Sequence, residues 1–318
     1  MKCKSAAGGG VSCPRKLRCE SLTTNKKKDR LGIIGLGKVG TAMGYLLKKA
    51  GYPIVAIADK FPEALVQAHP FTGGRICKND AEAAGDADAI LIATTDDLIA
   101  VACREITAAG AVRPGQKVVH FSGAGSLELL SAAKEAGAFI ASIHPIQSFA
   151  DVEGAIENIP GSTFGITADP EIREWAVDFV LALEGVPFFV PDTDKPLYHA
   201  AACIASNYLT TLLYMVEEIY LSLGLNREEA IRAFWPLVRG TLKNIESRGS
   251  VQALTGPIAR GDIGTVEKHI LAFQDKLPEF LHAYQALGLV TTELGLKKQS
   301  LTDEKAGMIK KHLKGGKS

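Results

Sequence analysis

The sequence predicts an α/β domain with a doubly wound, mostly parallel sheet, followed by a second domain that is mostly α-helical. Over residues 31–192, short apolar runs alternate with segments of helical apolar spacing, a pattern typical of parallel strands covered by helices on both faces. Over residues 193–298 the apolar spacing is helical and no strand pattern occurs. The length of 318 residues is also sufficient for two domains of ordinary size.

Composition argues against several classes of protein. Hydrophobic residues make up 47% of the chain and charged residues 22%, as in globular proteins, so we expect neither a disordered nor a fibrous protein. No apolar run reaches the ~18 uncharged residues of a membrane span. The six cysteines form no C-x-x-C pair and no secretory signal is found, so we expect reduced thiols and a cytoplasmic location.

Positive charge is concentrated at the two ends. Residues 1–30 contain nine Lys and Arg against two acidic residues, and residues 297–318 contain seven Lys against two acidic residues. We interpret residues 1–30 as a disordered basic extension and residues 299–318 as a basic tail. Because these segments have no interleaved aromatic residues and no sustained amphipathic period, we expect no nucleic acid and no membrane as partner.

A glycine motif follows the first predicted strand. Residues 31–34 have the composition of a buried strand, and Thr41 begins a segment of helical spacing. The glycines between them suit a bound dinucleotide: Gly35 permits a tight turn, Gly37 lets a pyrophosphate approach the backbone, and Gly40 lets the helix pack closely on the strand. The motif predicts a Rossmann domain, the alternative being one that has lost its ligand. The residues expected to bind NAD or NADP here are Gly35, Leu36, Gly37, Lys38, Val39 and Gly40.

The second predicted strand bears on the choice of cofactor. The strand ends next to Asp59, 19 residues beyond Gly40. A carboxylate at this position suits the ribose 2′-hydroxyl of NAD, whereas Lys60 could neutralise the 2′-phosphate of NADP. The sequence therefore leaves both cofactors open.

The third predicted strand, residues 87–93, is followed by four polar residues. Ligands of open α/β sheets bind at the carboxyl ends of the strands, so Thr94 and Thr95 are expected to lie along the cofactor. We interpret Asp96 and Asp97 primarily as the N-cap of the following helix.

The next two strands bring histidines to the same edge of the sheet. One strand leads into His120, Ser122 and Gly123, and the other, residues 138–143, leads into His144. Each histidine alone is equally well explained as a hydrogen-bonded strand or turn residue. Together with the glycines, these residues predict the nicotinamide end of the cofactor site, with Ser122 and Gly123 against the cofactor.

The helical domain is predicted to begin with one long helix over residues 196–223. At 100° per residue, Lys195, His199 and Ser206 fall within about 40° of one another, with Asn207 at the margin of this stripe. Polar side chains on an Ala-rich helix need partners, which are either a substrate or a neighbouring helix or dimer interface.

Two further features of this domain concern assembly and substrate. Residues 209–220 are apolar on more than one face, so we expect a homodimer in which this helix packs against its symmetry mate. Arg260 lies between glycines in a loop, where it could bind a substrate carboxylate with two hydrogen bonds. A salt bridge with Asp262 is an equally good explanation for this arginine.

Five motifs in order resemble a family of Rossmann-type oxidoreductases whose C-terminal half is a domain of unknown function. The resemblance covers about residues 31–290. That family is similar to ketopantoate reductases, pyrroline-5-carboxylate reductases, and β-hydroxyacid and 6-phosphogluconate dehydrogenases. The motifs are Gly32-Ile-Ile-Gly-Leu-Gly-Lys-Val-Gly-Thr-Ala42, Val119-His-Phe-Ser-Gly123, Ser142-Ile-His-Pro-Ile-Gln-Ser-Phe149, Leu197-Tyr-His-Ala-Ala-Ala202 with Ala205-Ser-Asn-Tyr208, and Leu254-Thr-Gly-Pro-Ile-Ala-Arg-Gly-Asp262.

The resemblance to ketopantoate reductases bears on the long helix. Those enzymes carry a Lys followed by Asn at the fourth and eighth positions after it. This chain has Lys195, but His199 and Cys203 occupy those two positions and Asn207 comes one turn later. The resemblance implies a catalytic role for Lys195 and departs from the family pattern at the two Asn positions.

Reduction of a ketone needs a hydride donor, a proton donor and a group that holds the rest of the substrate. NAD(P)H would supply the hydride to a small 2-oxo acid such as ketopantoate. The alternatives are an imine or β-hydroxyacid substrate, or a protein that senses the dinucleotide without turnover. The seven histidines lack metal-ligand spacing, so no metal is expected. The candidate catalytic residues are Lys195, His199 or His144 as proton donor, Ser206 and Asn207 as orienting hydrogen-bonding groups, and Arg260 as carboxylate clamp.

Overall fold

The computed structural model describes residues 27–315, which form two compact units. The first unit ends at His199 and the second begins at Ala200, rather than at the predicted boundary between 192 and 193. Most of the predicted basic extension lies outside the described residues. Its last residue, Arg30, forms a salt bridge with Asp88, with 3.1 Å between Nη2 and Oδ1.

One sheet organises the first unit. Its strand order is β3-β2-β1-β4-β5-β6-β7-β8, and all neighbouring pairs are parallel except β6 and β7. The strands are β1 (Leu31–Ile34), β2 (Ile54–Ala58), β3 (Arg75–Ile76), β4 (Ala89–Ile92), β5 (Lys117–His120), β6 (Phe139–Pro145), β7 (Thr163–Ala168) and β8 (Val186–Phe189). The predicted doubly wound, mostly parallel sheet is confirmed. The strand order reverses between β1 and β4, which is where ligands of such sheets bind.

Helices cover both faces of this sheet, and each face has its own apolar core. Ile33 and Leu91 belong to one core, whereas Ile34 and Ile92, their neighbours in the chain, belong to the other. This alternation explains why the strands read as continuous apolar runs in the sequence. The helices are α1 (Lys38–Lys49), α2 (Pro62–Thr72), α3 (Asp80–Gly85), α4 (Asp96–Ala108), α5 (Ser131–Glu135), α6 (Val152–Asn158), α7 (Arg173–Ala182) and α8 (Lys195–Cys203).

The described part of the second unit is helical, as predicted. Its helices are α9 (Leu209–Ser222), α10 (Arg227–Ala253), α11 (Pro257–Arg260), α12 (Ile263–Lys276), α13 (Pro278–Lys297) and α14 (Asp303–Leu313). Asn226 caps α10, since its side chain accepts a hydrogen bond of 3.0 Å from the backbone N–H of Glu229. Within residues 27–315, no helix has both the length and the apolar character needed to cross a membrane.

The structure differs from the predicted long helix over residues 196–223, because this segment is not a continuous α-helix. A π-helical turn at Ile204–Tyr208 separates α8 from α9. A π turn contains an extra residue relative to an α-helical turn, so a constant 100° per residue does not hold across it. The placement of Ser206 on one stripe with Lys195 and His199 therefore stays a prediction.

The predicted basic tail, residues 299–318, is not a tail over most of its length. Thr302 caps α14, and Ala306, Ile309 and Leu313 are buried in the core of the second unit. Leu313 packs against Gly288, where an added Cβ would lie 2.8 Å from Leu313 Cδ2. Lysine-rich composition obscured this apolar i, i+3, i+7 spacing, which is that of an amphipathic helix.

Candidate active site

The glycine motif forms the turn between β1 and α1. Gly35 has a φ of +91°, which L side chains rarely adopt, and a Cβ there would lie 2.7 Å from the carbonyl carbon of Ala93. A Cβ on Gly40 would collide with the carbonyl oxygen of Gly35. Among the described residues, nothing lies within 4 Å of a Cβ built on Gly37. Gly35 and Gly40 are thus required by the fold itself, whereas Gly37 faces open space at the start of α1.

A cavity of about 470 Å³ opens in front of this turn. Gly35 and Gly37 line it together with Thr94 and Thr95, at the carboxyl ends of β1 and β4. Its wall continues along α4 to Glu105. The backbone N–H groups at the start of α1 and the positive end of its dipole are suited to bind a phosphate group. The cavity thus has the location, the volume and the open glycine that a dinucleotide needs.

Asp59 at the end of β2 holds the glycine turn in place. Its Oδ2 accepts a hydrogen bond of 2.6 Å from the backbone N–H of Leu36, and its Oδ1 accepts one of 2.8 Å from that of Phe61. The ammonium of Lys60 lies 4.9 Å from the centroid of the Phe61 ring. Asp59 and Lys60 both line the cavity. These are the two residues that bear on the choice between NAD and NADP.

Two carboxylates that the sequence analysis did not identify also line this cavity. They are Asp80 at the start of α3 and Glu105 on α4. Burial raises the pKa of Asp80, and the charges of Glu105 and Asp59 raise it further. The cavity wall therefore carries three carboxylates and one ammonium, that of Lys60.

A second group of polar side chains lies where β5 and β6 end and α8 begins. Lys195 has only 1% of its surface exposed. Its ammonium donates hydrogen bonds to Ser142 Oγ at 2.7 Å and to the carbonyl oxygen of Ser122 at 3.4 Å. Burial lowers the pKa of Lys195 to about 8, against the opposing charges of Asp192 and Asp96. The lysine thus retains its positive charge at neutral pH but is closer to releasing a proton than an exposed lysine is.

His144, at the end of β6, packs between two side chains of α8. Its Nδ1 lies 2.8 Å from the Tyr198 hydroxyl, and its ring centroid lies 5.9 Å from that of His199. Burial lowers the pKa of His144 to about 4, and the charges of His199 and Lys195 lower it further. At neutral pH the imidazole of His144 is therefore uncharged.

Gly123 makes this close packing possible. A Cβ on Gly123 would lie 2.6 Å from His199 Cδ2 and 2.7 Å from His144 Cε1. A side chain at this position would push both rings away from the end of β5. Gly123, His144, His199 and Lys195, which the sequence singled out in separate segments, are thus brought together within the first unit.

Asp96 connects the cavity to this cluster. It follows Thr95, which lines the cavity, and its Oδ2 accepts a hydrogen bond of 2.8 Å from Ser122 Oγ. The interpretation of Asp96 as an N-cap is wrong, because the cap of α4 is Thr95 and Asp96 is the first helical residue. Ser122 Oγ also accepts a hydrogen bond of 2.8 Å from the N–H of Gly125. The hydroxyl therefore acts as both a donor and an acceptor.

Some predicted residues lie elsewhere. Ser206, Asn207 and Arg260 are exposed residues of the second unit, and their assignment to the substrate stays a prediction. The carboxylate of Asp262 accepts hydrogen bonds from the backbone N–H and hydroxyl of Thr265, as the N-cap of α12. Within residues 27–315, no group of three or more His, Cys, Asp or Glu side chains is arranged to bind a metal ion.

Sequence reasoning missed two contributors to the cluster, Ser142 and Tyr198, and left the role of a third, His120, open. His120, which the sequence placed at the strand end, is fully buried, and its Nδ1 accepts a hydrogen bond of 3.1 Å from the N–H of Ser122. Burial lowers its pKa to about 3, so this histidine supports the turn as a neutral ring. Ser142 and Tyr198 were not singled out at all. The position of Tyr198, three residues after Lys195 on the same helix face, is the signal that could have identified it.

Two sequence profiles match this chain. Residues 18–145 match the Rossmann-like domain, and residues 162–291 match a domain of unknown function, DUF2520. In this chain, therefore, a Rossmann-like domain is followed by a DUF2520 domain. No curated protein sequence is similar enough to count as a match.

Solved structures share this architecture over most of their length. A protein proposed to be an NADP oxidoreductase, from Bacteroides fragilis, is 18% identical with a TM-score of 0.69, over 84% of this chain and 98% of that one. Protein TM1727 from Thermotoga maritima is 25% identical with a TM-score of 0.66, over 85% and 99%. Pyrroline carboxylate reductase from Plasmodium falciparum, solved with NADP bound, is 14% identical with a TM-score of 0.55, over 84% and 98%.

Proposed function

We propose that this protein is an NAD(P)-dependent oxidoreductase that reduces the carbonyl group of a small, carboxylate-bearing molecule. The observation that carries the proposal is the hydrogen bond from Ser122 to Asp96, which joins the wall of the glycine-turn cavity to the cluster around Lys195. A dinucleotide site beside a cationic lysine and two histidines supports the proposal, because reduction of a carbonyl needs a hydride donor and a nearby proton donor. A 2-oxo acid such as ketopantoate is the first substrate class to test.

The residues that would hold the cofactor fit it. The open space at Gly37 would receive the pyrophosphate, and the N-terminus of α1, from Lys38 to Gly40, would face its charge. Thr94 and Thr95 would lie along the cofactor. When bound, NAD(P)H supplies the hydride.

The charge of the cavity favours NAD over NADP. The extra 2′-phosphate of NADP would enter a wall with the carboxylates of Asp59, Asp80 and Glu105, and only Lys60 would attract it. The two hydroxyls of an unmodified ribose can donate hydrogen bonds to such carboxylates instead.

The residues of this chain would supply the proton and the electrostatic environment. Lys195 uses two hydrogens of its ammonium on Ser142 and Ser122, and an ammonium has three. Its positive charge, buried at the ends of β5 and β6, would stabilise the negative charge that develops on a carbonyl oxygen. We place Lys195 as the proton donor, with His199 as the alternative and Arg260 as the candidate carboxylate clamp.

A carbon–nitrogen double bond is the second candidate substrate. The similarity in fold to pyrroline carboxylate reductase favours it, because pyrroline is a cyclic imine. The same cluster could serve either bond, since both reductions need hydride on carbon and a proton on the heteroatom.

The chemistry is tested by mixing the full-length protein with NADH or NADPH and a panel of 2-oxo acids and cyclic imines, and following absorbance at 340 nm. Oxidation of the cofactor with a 2-oxo acid is the expected result, and oxidation with imines alone would favour the second candidate. Stoichiometric cofactor binding without oxidation across the panel would contradict the proposal and favour a dinucleotide sensor.

We further propose that the protein acts as a homodimer. Only Met215 of α9, and Ala230 and Phe234 of α10, are buried, although both helices are rich in apolar residues. Side chains of these helices that stay exposed include Tyr214, Ile231, Leu237 and Leu242. A second copy of the chain would cover such surfaces through a symmetric interface.

A further inference from the structure

Ser142 is a polar residue in the middle of the buried strand β6. Its neighbours Ala141 and Ile143 belong to the apolar core on one face of the sheet. Ser142 lies on the other face together with Ile140, which belongs to the second apolar core. The serine is fully buried there, and a buried hydroxyl is costly unless it has hydrogen-bond partners.

Three polar atoms meet at this position. Ser142 Oγ lies 2.7 Å from Lys195 Nζ and 3.1 Å from the carbonyl oxygen of Ser122, and Lys195 Nζ lies 3.4 Å from the same carbonyl oxygen. All three residues belong to the first unit, and Lys195 has 1% of its surface exposed. The register of the sheet contributes to this contact, since Ser142 pairs with His120, two residues before Ser122.

The direction of each of these hydrogen bonds follows from the chemistry of the groups. An ammonium can only donate, and a carbonyl oxygen can only accept. The Ser142 hydroxyl therefore accepts from Lys195, and its own hydrogen goes to the carbonyl oxygen of Ser122. Because the hydroxyl is engaged on both sides, a lone pair of its oxygen stays directed at the ammonium.

The contact with Ser142 is the shorter of the two that the ammonium makes. A distance of 2.7 Å is typical of a charge-assisted hydrogen bond, whereas 3.4 Å lies beyond the usual range of N–H···O distances. A hydrogen bond donated by the ammonium favours the charged form of lysine over the neutral amine. Without the Ser142 hydroxyl, the ammonium would keep only the long contact with the Ser122 carbonyl oxygen.

The titratable groups that face Lys195 are two carboxylates and two imidazoles. Asp96 on α4 and Asp192, just before α8, favour the charged form of the lysine, which burial opposes. Burial lowers the pKa of His120 on β5 to about 3 and that of His144 on β6 to about 4, so both rings are neutral at pH 7. The charge of the lysine thus depends on the two carboxylates and on the serine hydroxyl described above.

We propose that Ser142 is a positioning residue for Lys195, whose hydroxyl accepts a hydrogen bond from the ammonium, is held by the carbonyl oxygen of Ser122, and so keeps the buried lysine charged and in place. The effect on the charge of Lys195 does not rest on the proposed function. The consequence for catalysis does rest on it, because the charged lysine is the proton donor there. Ser142 would then act on the reaction through Lys195.

The charge is measured by ¹³C NMR of the full-length protein labelled at lysine Cε, over a pH titration, with Lys195→Arg used to assign the signal. Wild-type Lys195 should be charged at pH 7. Ser142→Ala removes the acceptor and should lower the pKa of Lys195 by about one to two pH units, the effect of losing a hydrogen bond to a charged group. Ser142→Cys, which has a weakly accepting sulfur, should lower this pKa by less.

Ser162→Ala is the matched control. Ser162 is also a buried serine of the first unit, and its hydroxyl accepts a hydrogen bond from Gln147 and donates one to the carbonyl oxygen of Asn158. Its replacement removes comparable hydrogen bonds and should leave the pKa of Lys195 unchanged. An unchanged pKa of Lys195 in both Ser142 variants, or a wild-type lysine that is uncharged at pH 7, would overturn the inference whatever the protein reduces.

Kinetics with the substrate found in the panel test the consequence for catalysis. The pH dependence of kcat/KM reports on groups of the free enzyme. In Ser142→Ala the fall in rate should therefore move to lower pH by as much as the pKa measured by NMR, and in Ser162→Ala it should stay in place. A profile that stays in place while the NMR pKa falls would contradict this consequence. If no carbonyl compound or imine is turned over, the consequence fails together with the proposed function, and the NMR result still decides whether Ser142 keeps Lys195 charged.

Discussion

Gly37 is the residue whose role in cofactor binding is most easily isolated. Replacing it with valine should abolish dinucleotide binding, because the new side chain would occupy the open space in front of α1. Binding of NADH is measured by calorimetry with the full-length protein. Gly240→Val is the matched control, since nothing described lies within 4 Å of a Cβ at this helical position either. A folded Gly37 variant with unchanged affinity would refute the assignment of the glycine motif.

Lys195 should determine the pH dependence of reduction. The protonated ammonium is the required form, and its pKa is about 8, so the rate should be constant at low pH and fall as pH rises through about 8. Lys195→Ala should lower kcat by about 100-fold or more and preserve cofactor binding. Near-normal turnover in this variant would transfer the role of proton donor to His199.

A charge change near Lys195 tests the same assignment without removing the lysine. The carboxylate of Asp192 raises the lysine pKa against the effect of burial. Asp192→Asn should therefore move the fall in rate to lower pH, while its side-chain oxygen can still accept the hydrogen bond from the N–H of Leu127. Asp194→Asn, at an exposed position next to Lys195, is the control that should leave the profile in place. An unshifted profile in the Asp192 variant would mean that another group titrates.

At the scale of elements, α3 and α4 should set the preference for NAD. Replacing Asp80 with Asn and Glu105 with Gln removes two charges from the cavity wall and leaves the hydrogen bonds of Asp59 to the glycine turn intact. Each charge at about 4 Å in water is worth about 1 kcal/mol, so the ratio of NADP to NAD affinity should rise roughly fivefold for each substitution. An unchanged ratio, with Lys60→Ala weakening NADP alone, would show that NADP is the natural cofactor.

The helix α14 gives a prediction about stability. Leu313→Ala should lower the free energy of unfolding by about 2–4 kcal/mol, because the leucine is buried against α13. Urea unfolding followed by circular dichroism measures this effect. Met308→Ala, on the exposed face of the same helix, should have little effect. Equal stability of the two variants would mean that α14 does not pack as described.

The elements around the glycine motif were predictable from short stretches of sequence. The first strand, the glycine turn and the helix after it follow from residues that are adjacent in the chain. Gly35 and Gly40 have the structural roles expected of them, and the role of Gly37 beside a pyrophosphate stays a prediction. The helix α14 was missed because lysines dominate its composition. The antiparallel pairing of β6 and β7 was also not predicted, because it depends on whether the connection crosses to the other end of the strands before β7 begins.

The candidate site was predictable only in part, for a related reason. His144, His199 and Lys195 were identified because polar residues at strand ends and on Ala-rich helices stand out. The partners Ser142 and Tyr198 become apparent only when β6 and α8 are placed side by side. The near-complete burial of Lys195 likewise depends on long-range packing, so the sequence could not indicate its shifted pKa.

At the scale of the whole molecule, assembly is the first prediction. Static light scattering at micromolar concentration should give about twice the chain mass of 33.8 kDa. Leu237→Glu, on α10, should shift the protein toward monomer, and Val66→Glu, at a similarly exposed position of the first unit, should not. A wild-type protein that is monomeric under these conditions would refute the dimer.

Hydride transfer from the cofactor to the substrate is followed directly with an isotope label. The protein is incubated with a 2-oxo acid and NADH carrying deuterium at C4, and the product is analysed by mass spectrometry and NMR. We expect a 2-hydroxy acid with one deuterium on the carbon that held the carbonyl oxygen, and no such product with Gly37→Val. Stoichiometric binding of the cofactor without deuterium in any product would contradict hydride transfer.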